Sequence, residues 1–349
     1  MEKGKELFRD EDFKCSRGWL EKFMKRWDFS LRRRTTTAQQ LPRAVCDKVS
    51  SFVNYCRDQL LLNGYSRSDI ANMDETAIWA DMPGETTVTT KGVRSVPMFS
   101  TGHEKSRVTV CLAAFADGRK LQPFIVFKGK RTPKELSGIT GVKIGMTSSG
   151  WMNTVSSIEW LETVWGKLSF SRRLLIWDSF RAHVDSKVKE VCRKQTKTDM
   201  VVIPGGCTSL LQPADVSWNK PFKNAFRACY EKWMREENFE YSSAGNVKSP
   251  SRVLLVNWIK EAWRSVSAQV IINSFDVCGI TTHDVDVIHC TKTNQTAEGA
   301  REAIMQWQPG ARDVDLDDSS DDTTSDSHSE DLGTDDEGSD LECESGILL

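Results

Sequence analysis

Three aspartates in this chain occupy positions from which a carboxylate can be delivered to a shared point. Asp74 lies in Asn72-Met73-Asp74-Glu75-Thr76, inside an apolar run from Ile70 to Trp79. Asp178 directly follows Leu174-Leu175-Ile176-Trp177, and Asp215 follows Leu211-Gln212-Pro213-Ala214. A strand or turn at each position is expected to expose its carboxylate instead of burying it. Carboxylate oxygens suit hard cations such as magnesium or manganese. Two such ions about 4 Å apart can activate the attacking oxygen and stabilise the leaving oxygen of a phosphoryl transfer. Spacing alone does not select these three from 49 acidic residues.

The elements around them are short and mixed. Ile70–Trp79 and Arg107–Phe115 are β-prone, Asp117-Gly118 is a turn, and 121–127 is expected to pair antiparallel with the preceding strand. A helix over 156–168 leads to a buried strand at Arg173–Trp177, and a further helix begins near His183. The run 200–203 is a strand stopped by Pro204-Gly205-Gly206. Beyond Pro213, Val216, Phe222, Phe226, Tyr230 and Trp233 recur near helical period, and 249–263 is a second amphipathic stretch. A meander followed by alternating strands and helices predicts an α/β fold, a mixed sheet flanked by helices.

Upstream, Phe13, Trp19, Leu20, Phe23, Met24, Trp27 and Leu31 form one helical face with Ser16 as N-cap. Basic residues surround that face, a pattern shared by small DNA-binding helices and by helices docked on a neighbouring domain. Residues 34–42 read as a linker, and a second helix carrying Val45, Val49, Phe52, Val53 and Cys56 runs to a turn at Asn63-Gly64.

Charge is segregated along the chain. Fifteen of the 49 acids fall in 313–349, where no lysine or arginine occurs, leaving 47 basic against 34 acidic groups in 1–312. The basic body fits a polyanion, and the acidic tail reads as disordered, a segment able to solubilise the chain or compete with DNA for the body. No run reaches the roughly 18 apolar residues of a membrane helix, and Met1 is followed by charged residues. The ten scattered cysteines form no close metal-binding pair and read as reduced thiols, so the expectation is a soluble intracellular protein.

The strings Met73-Asp74-Glu75-Thr76, Trp177-Asp178-Ser179-Phe180-Arg181-Ala182-His183, and 204–215 followed by Asn219-Lys220-Pro221-Phe222-Lys223 resemble the three acidic blocks of pogo/Tigger-type DDE transposases. The resemblance extends from about residue 70 to 280, with Ala214 standing where a leucine is usual. It implies a ribonuclease H-like fold in which Asp74, Asp178 and Asp215 are the catalytic, metal-binding residues for magnesium or manganese. It implies cleavage of transposon ends and their joining to target DNA. His183 is then a neighbour of the metals or a cap of the following helix, and Glu75 an assistant or a surface acid. Lys220 and Lys223 are candidate backbone contacts. Phe13 to Phe23 and Ser30 to Arg33 resemble the second half of the centromere protein B DNA-binding domain, a helix-turn-helix module present here in part. In that module Trp19, Leu20 and Phe23 are core, and Arg17, Lys22, Lys25 and Arg26 contact DNA.

The expected organisation is therefore a partial helix-turn-helix module at 1–37, a helical linker at 38–69, a DDE endonuclease domain at 70–280, an extension at 281–312 and an acidic tail at 313–349. The expected protein is nuclear and DNA-binding, with homo-oligomers or protein partners engaged through the tail and no membrane association. The competing expectations are a domesticated architectural protein without chemistry and a ribonuclease H-like nuclease acting on RNA hybrids.

Overall fold

The computed structural model describes residues 16–27, 42–82, 101–102, 106–166, 171–236, 239–241, 243, 247–282, 284, 286–288, 297–306 and 308. Most of the 34–42 linker and the whole acidic tail lie outside these residues.

Strands β1 (Ile70–Trp79), β2 (Arg107–Phe115), β3 (Phe124–Lys128), β4 (Lys143–Thr147), β5 (Arg173–Trp177) and β6 (Thr198–Val202) form one sheet ordered β4-β3-β2-β1-β5-β6. The first three are antiparallel neighbours, whereas β4, β5 and β6 join in parallel. Side chains alternate between two apolar layers. Ile70, Ile78, Leu112, Ala114, Leu174 and Ile176 belong to one, and Ala71, Met73, Cys111, Ala113, Leu175 and Trp177 to the other. Burial on both faces explains why β2 and β5 read as nearly continuous apolar runs. This mixed sheet has the ribonuclease H-like architecture expected from the sequence.

The helices are α1 (Arg17–Arg26), α2 (Pro42–Asn63), α3 (Thr154–Trp160), α4 (Arg181–Val184), α5 (Ser186–Gln195), α6 (Thr208–Leu211), α7 (Asn219–Arg235), α8 (Arg252–Ser265), α9 (Ala268–Val277) and α10 (Ala297–Met305). Helices α3 and α5 supply Trp160, Val188 and Val191 to one apolar layer. The other layer takes Phe222 and Phe226 from α7, Ile259 and Trp263 from α8, and Phe275 from α9. Ser16 caps α1 as expected, its hydroxyl accepting from the Trp19 amide.

Several expectations change. Within the segment read as a helical linker, Val49, Phe52, Val53 and Cys56 of α2 are fully buried in the larger core layer. Arg57 Nη1 donates to the Ile304 carbonyl at 3.0 Å, tying α2 to α10. The helix expected over 156–168 begins at Thr154, capped by Asn153, and finishes in a wide turn at Leu161–Trp165 closed by Gly166 at φ +84°. Strand β3 starts at Phe124 because Pro123, which carries no backbone N–H, precedes it. Leu121 keeps one bond to the Ala113 carbonyl, and Gly118 at φ +91° closes the hairpin. Strand β4 and helix α9 have no counterpart in the sequence reading. Cys56, Cys111, Cys192 and Cys207 are buried free thiols, and burial pushes Cys192 up to about 12.

Candidate active site

The parallel register of β1 and β5 brings the first two aspartates side by side. Asn72 pairs with Ile176, and each strand carries an aspartate two residues further on, Asp74 and Asp178. Asn72 is fully buried and acts as a pin between elements. Its Nδ2 donates to the Ile176 carbonyl at 2.8 Å, and its Oδ1 accepts from the Ala214 amide at 3.2 Å. The residue after Ala214 is Asp215, so one side chain fixes the approach of all three acids. Ala214 is itself fully buried, and Asp215 lies in a π-helical turn, Ala214–Trp218, that runs into α7.

The three acids share one electrostatic environment. Asn219 Nδ2 donates to Asp74 Oδ2 at 2.7 Å and to Asp215 Oδ1 at 3.1 Å. Burial holds the Asp74 carboxyl well above the usual carboxylate range, reinforced by the charges of Asp215, Glu75 and Asp178. Burial likewise raises Asp215, opposed by the Asn219 amide and Lys223, with Asp178 pushing it further up. The expectation of an exposed carboxylate fails at Asp74, which retains only 7% exposure. It sits in a central strand beneath the π-helical turn, and its position mid-strand rather than at a free strand end is what buries it.

His183 lies against Asp178 and does not cap the following helix, whose N-cap is Asp185. It is completely buried, with Nδ1 2.5 Å from Asp178 Oδ1 and Nε2 2.7 Å from Glu75 Oε1. Burial disfavours the imidazolium, but the charge of Glu75 and the bonds to Asp178 and Glu75 outweigh it and raise the histidine to about 9. Both ring nitrogens then donate at neutral pH. The ring stacks on Trp177, 4.0 Å between centroids, and meets Phe180 edge-on. Glu75, Asp178 and His183 offer three ligand atoms within 4.8 Å of one another.

Beside Glu75, the Arg107 guanidinium lies 3.0 Å from the centre of the Trp151 ring. Trp151 is 55% exposed, and Trp79, which faces Arg107 across β1 and β2, is also exposed. On α1, Lys22, Lys25 and Arg26 are exposed, whereas the Arg17 side chain lies outside the described residues. Trp19 and Phe23 stack at 5.1 Å and are half-buried. Lys220 is exposed and Lys223 half-buried beside Asp215.

Sequence reasoning missed Asn72, Asn219, Arg107 and Trp151. A polar residue inside an apolar strand was the available signal for Asn72, and a position one helical turn beyond Asp215 was the signal for Asn219. Nothing local marks the Arg107 and Trp151 pair, which are 44 residues apart.

A family model described as DDE superfamily endonuclease matches residues 105–275. A human relative, "Pogo transposable element with KRAB domain", is 36% identical over 281 residues, covering 78% of this chain and 45% of that protein. The mouse "Tigger transposable element-derived protein 4" is 24% identical over 276 residues, covering 77% and 50%. "CENP-B homolog protein 2" of Schizosaccharomyces pombe is 26% identical over 277 residues, covering 74% and 50%. The chain thus spans about half the length of the curated relatives it matches. Among solved structures, a Mos1 transposase paired-end complex with the left transposon end aligns with TM-score 0.51 at 10% identity, covering 79% of this chain and 70% of that one, a likeness of fold.

Proposed function

From the premise that this chain carries a DDE superfamily endonuclease domain related to those of the pogo and Tigger transposable-element proteins, we propose that it is a nuclear, DNA-acting protein whose Asp74, Asp178 and Asp215 hold divalent metal for strand cleavage and transfer. The observation that supports the reading is that Asn219 Nδ2 donates to both Asp74 and Asp215, while Asp178 ends the strand that runs parallel beside β1.

The residues present fit a hard divalent cation. Their donors are carboxylate oxygens, two of the carboxyls are held above their ordinary range by burial and by neighbouring acidic charges, and Asn219 Oδ1 is a buried acceptor without a hydrogen-bond partner. Bound magnesium or manganese would supply the Lewis acidity that activates the attacking oxygen and stabilises the leaving one. The protein's own contribution is positioning. Asn72 fixes the strands and the turn, His183 restrains Asp178, and the Arg107 and Trp151 stack offers a cation for phosphate and an aromatic face for a base. Residues 70–280 form the endonuclease domain in this reading, and α1 with Arg17, Lys22, Lys25 and Arg26 contributes a separate DNA contact.

Nicking of DNA carrying the matching transposon ends, with magnesium or manganese, tests the proposal against Asp178→Asn. Metal-dependent nicking lost in the variant supports it; equal activity in both proteins removes the catalytic assignment. DNA binding without nicking in either protein would favour a domesticated, architectural role.

A further inference from the structure

Asn219 is the first residue of α7, yet its side chain is turned into the site and only 7% exposed. Helix starts ordinarily present such a residue to the helix's own amides. Here its Nδ2 instead spans two carboxylates that are 141 residues apart in sequence, Asp74 on β1 and Asp215 in the π-helical turn. Its Oδ1 is buried and has no hydrogen-bond partner. A buried amide with its oxygen unsatisfied is uncommon in a folded protein, since such groups cost stability unless something else uses them.

Resting on the metal reading above, we propose that Asn219 is a positioning residue of the metal centre: it clamps Asp74 and Asp215 together before a divalent cation arrives and contributes a spare amide oxygen to the same pocket. The π-helical turn makes this possible. Its five-residue bonding, with the Asn219 amide closing on the Ala214 carbonyl, sets Asp215 and Asn219 on the side that meets β1. Trp218 and Phe222 on either side of Asn219 are fully buried, so the helix start is anchored and the amide does not have to be ordered anew when an ion binds. Groups that orient metal ligands in this way typically change affinity by about 10–100-fold when removed.

The test is titration of the full chain with Mn²⁺, read by the electron paramagnetic resonance signal of the free ion, alongside thermal melting with and without Mn²⁺. Asn219→Leu keeps the side-chain size and removes both donors and the oxygen; its Mn²⁺ affinity is expected to fall about 10–100-fold. Asn219→Asp keeps an oxygen but adds a further carboxylate beside Asp74 and Asp215. It is expected to melt lower than the natural protein without metal and to gain more in melting temperature on Mn²⁺ addition. Affinity unchanged in Asn219→Leu, with only a lower melting temperature, would make the residue structural and overturn the inference while leaving the metal reading intact. Absence of Mn²⁺ binding by the natural protein would overturn the metal reading and this inference with it. If Asn219→Leu does not fold, the metal response of Asn219→Asp decides: a response equal to that of the natural protein overturns the inference.

Discussion

Asn72 Oδ1 accepts a hydrogen bond from the Ala214 backbone amide at 3.2 Å, joining the strand that carries Asp74 to the turn that carries Asp215. The other end of the same amide holds the Ile176 carbonyl, two residues before Asp178. Asn72→Leu would leave a buried amide and a buried carbonyl without this partner, at about 1–3 kcal/mol for each unsatisfied group. The variant should unfold at lower urea concentration by about 2–4 kcal/mol of stability. Metal affinity should fall with it, because the acids lose their common support. Asn72→Asp, which keeps an acceptor for Ala214, should recover part of the loss; if it is no more stable than Asn72→Leu, the pin is misassigned.

The clamp of His183 on Glu75 and Asp178 gives stability a pH dependence. The folded value of His183, about 9, is above its ordinary 6.5. Its contribution is therefore complete below the unfolded value and lost as pH rises through about 9. In chelator, the natural protein should lose stability between pH 7 and 10, and His183→Leu should be less stable at pH 7 by about 2–4 kcal/mol while losing less over that interval. Parallel pH curves for the two proteins would show that the imidazolium is not what holds the two acids.

Much of this arrangement is legible in sequence, and the reasons differ by element. The central strands are legible because burial on both faces leaves an apolar run with few polar interruptions. Asp178 is legible because its strand ends on it. Burial of Asp74 is not, since the covering turn comes from Asp215's segment and depends on tertiary contact. The 42–63 helix looks like a linker because its apolar residues could cover any surface, and only its packing with Ile70, Ile288 and Ile304 assigns it to the core. The role of His183 requires knowing that Glu75 and Asp178 lie on neighbouring strands, which no local spacing reveals.

Gly279 measures how tightly α2 is held against the body. It has φ +74°, and an added Cβ would lie 2.9 Å from Val53 Cγ2 and 3.1 Å from Ile288 Cδ1. Gly166 has a similar φ of +84° but nothing within 4 Å of its would-be Cβ. Gly166→Ala should cost about 1–3 kcal/mol from backbone conformation alone, because φ +84° with ψ 146° is a combination essentially reserved to glycine. Gly279→Ala should cost that amount plus about 1–3 kcal/mol for overpacking against α2. Equal losses in differential scanning calorimetry would mean that α2 yields freely at Val53.

The Arg107 and Trp151 stack predicts a separable contribution to single-stranded DNA binding. Trp151 offers an exposed ring and no charge, whereas Arg107 offers a cation with its Nε buried and unbonded. Base stacking on an aromatic side chain is worth about 1–3 kcal/mol, so Trp151→Ala should weaken binding of a short oligonucleotide roughly 5- to 150-fold. Because no phosphate contact is removed, the slope of log affinity against log salt should stay the same. Arg107→Gln should weaken binding and also make that slope shallower by about 0.7, the value for one phosphate contact on a single strand. Fluorescence anisotropy between 50 and 200 mM salt separates the two effects. A changed slope in Trp151→Ala, or undiminished affinity in both variants, would place the DNA path elsewhere on the protein.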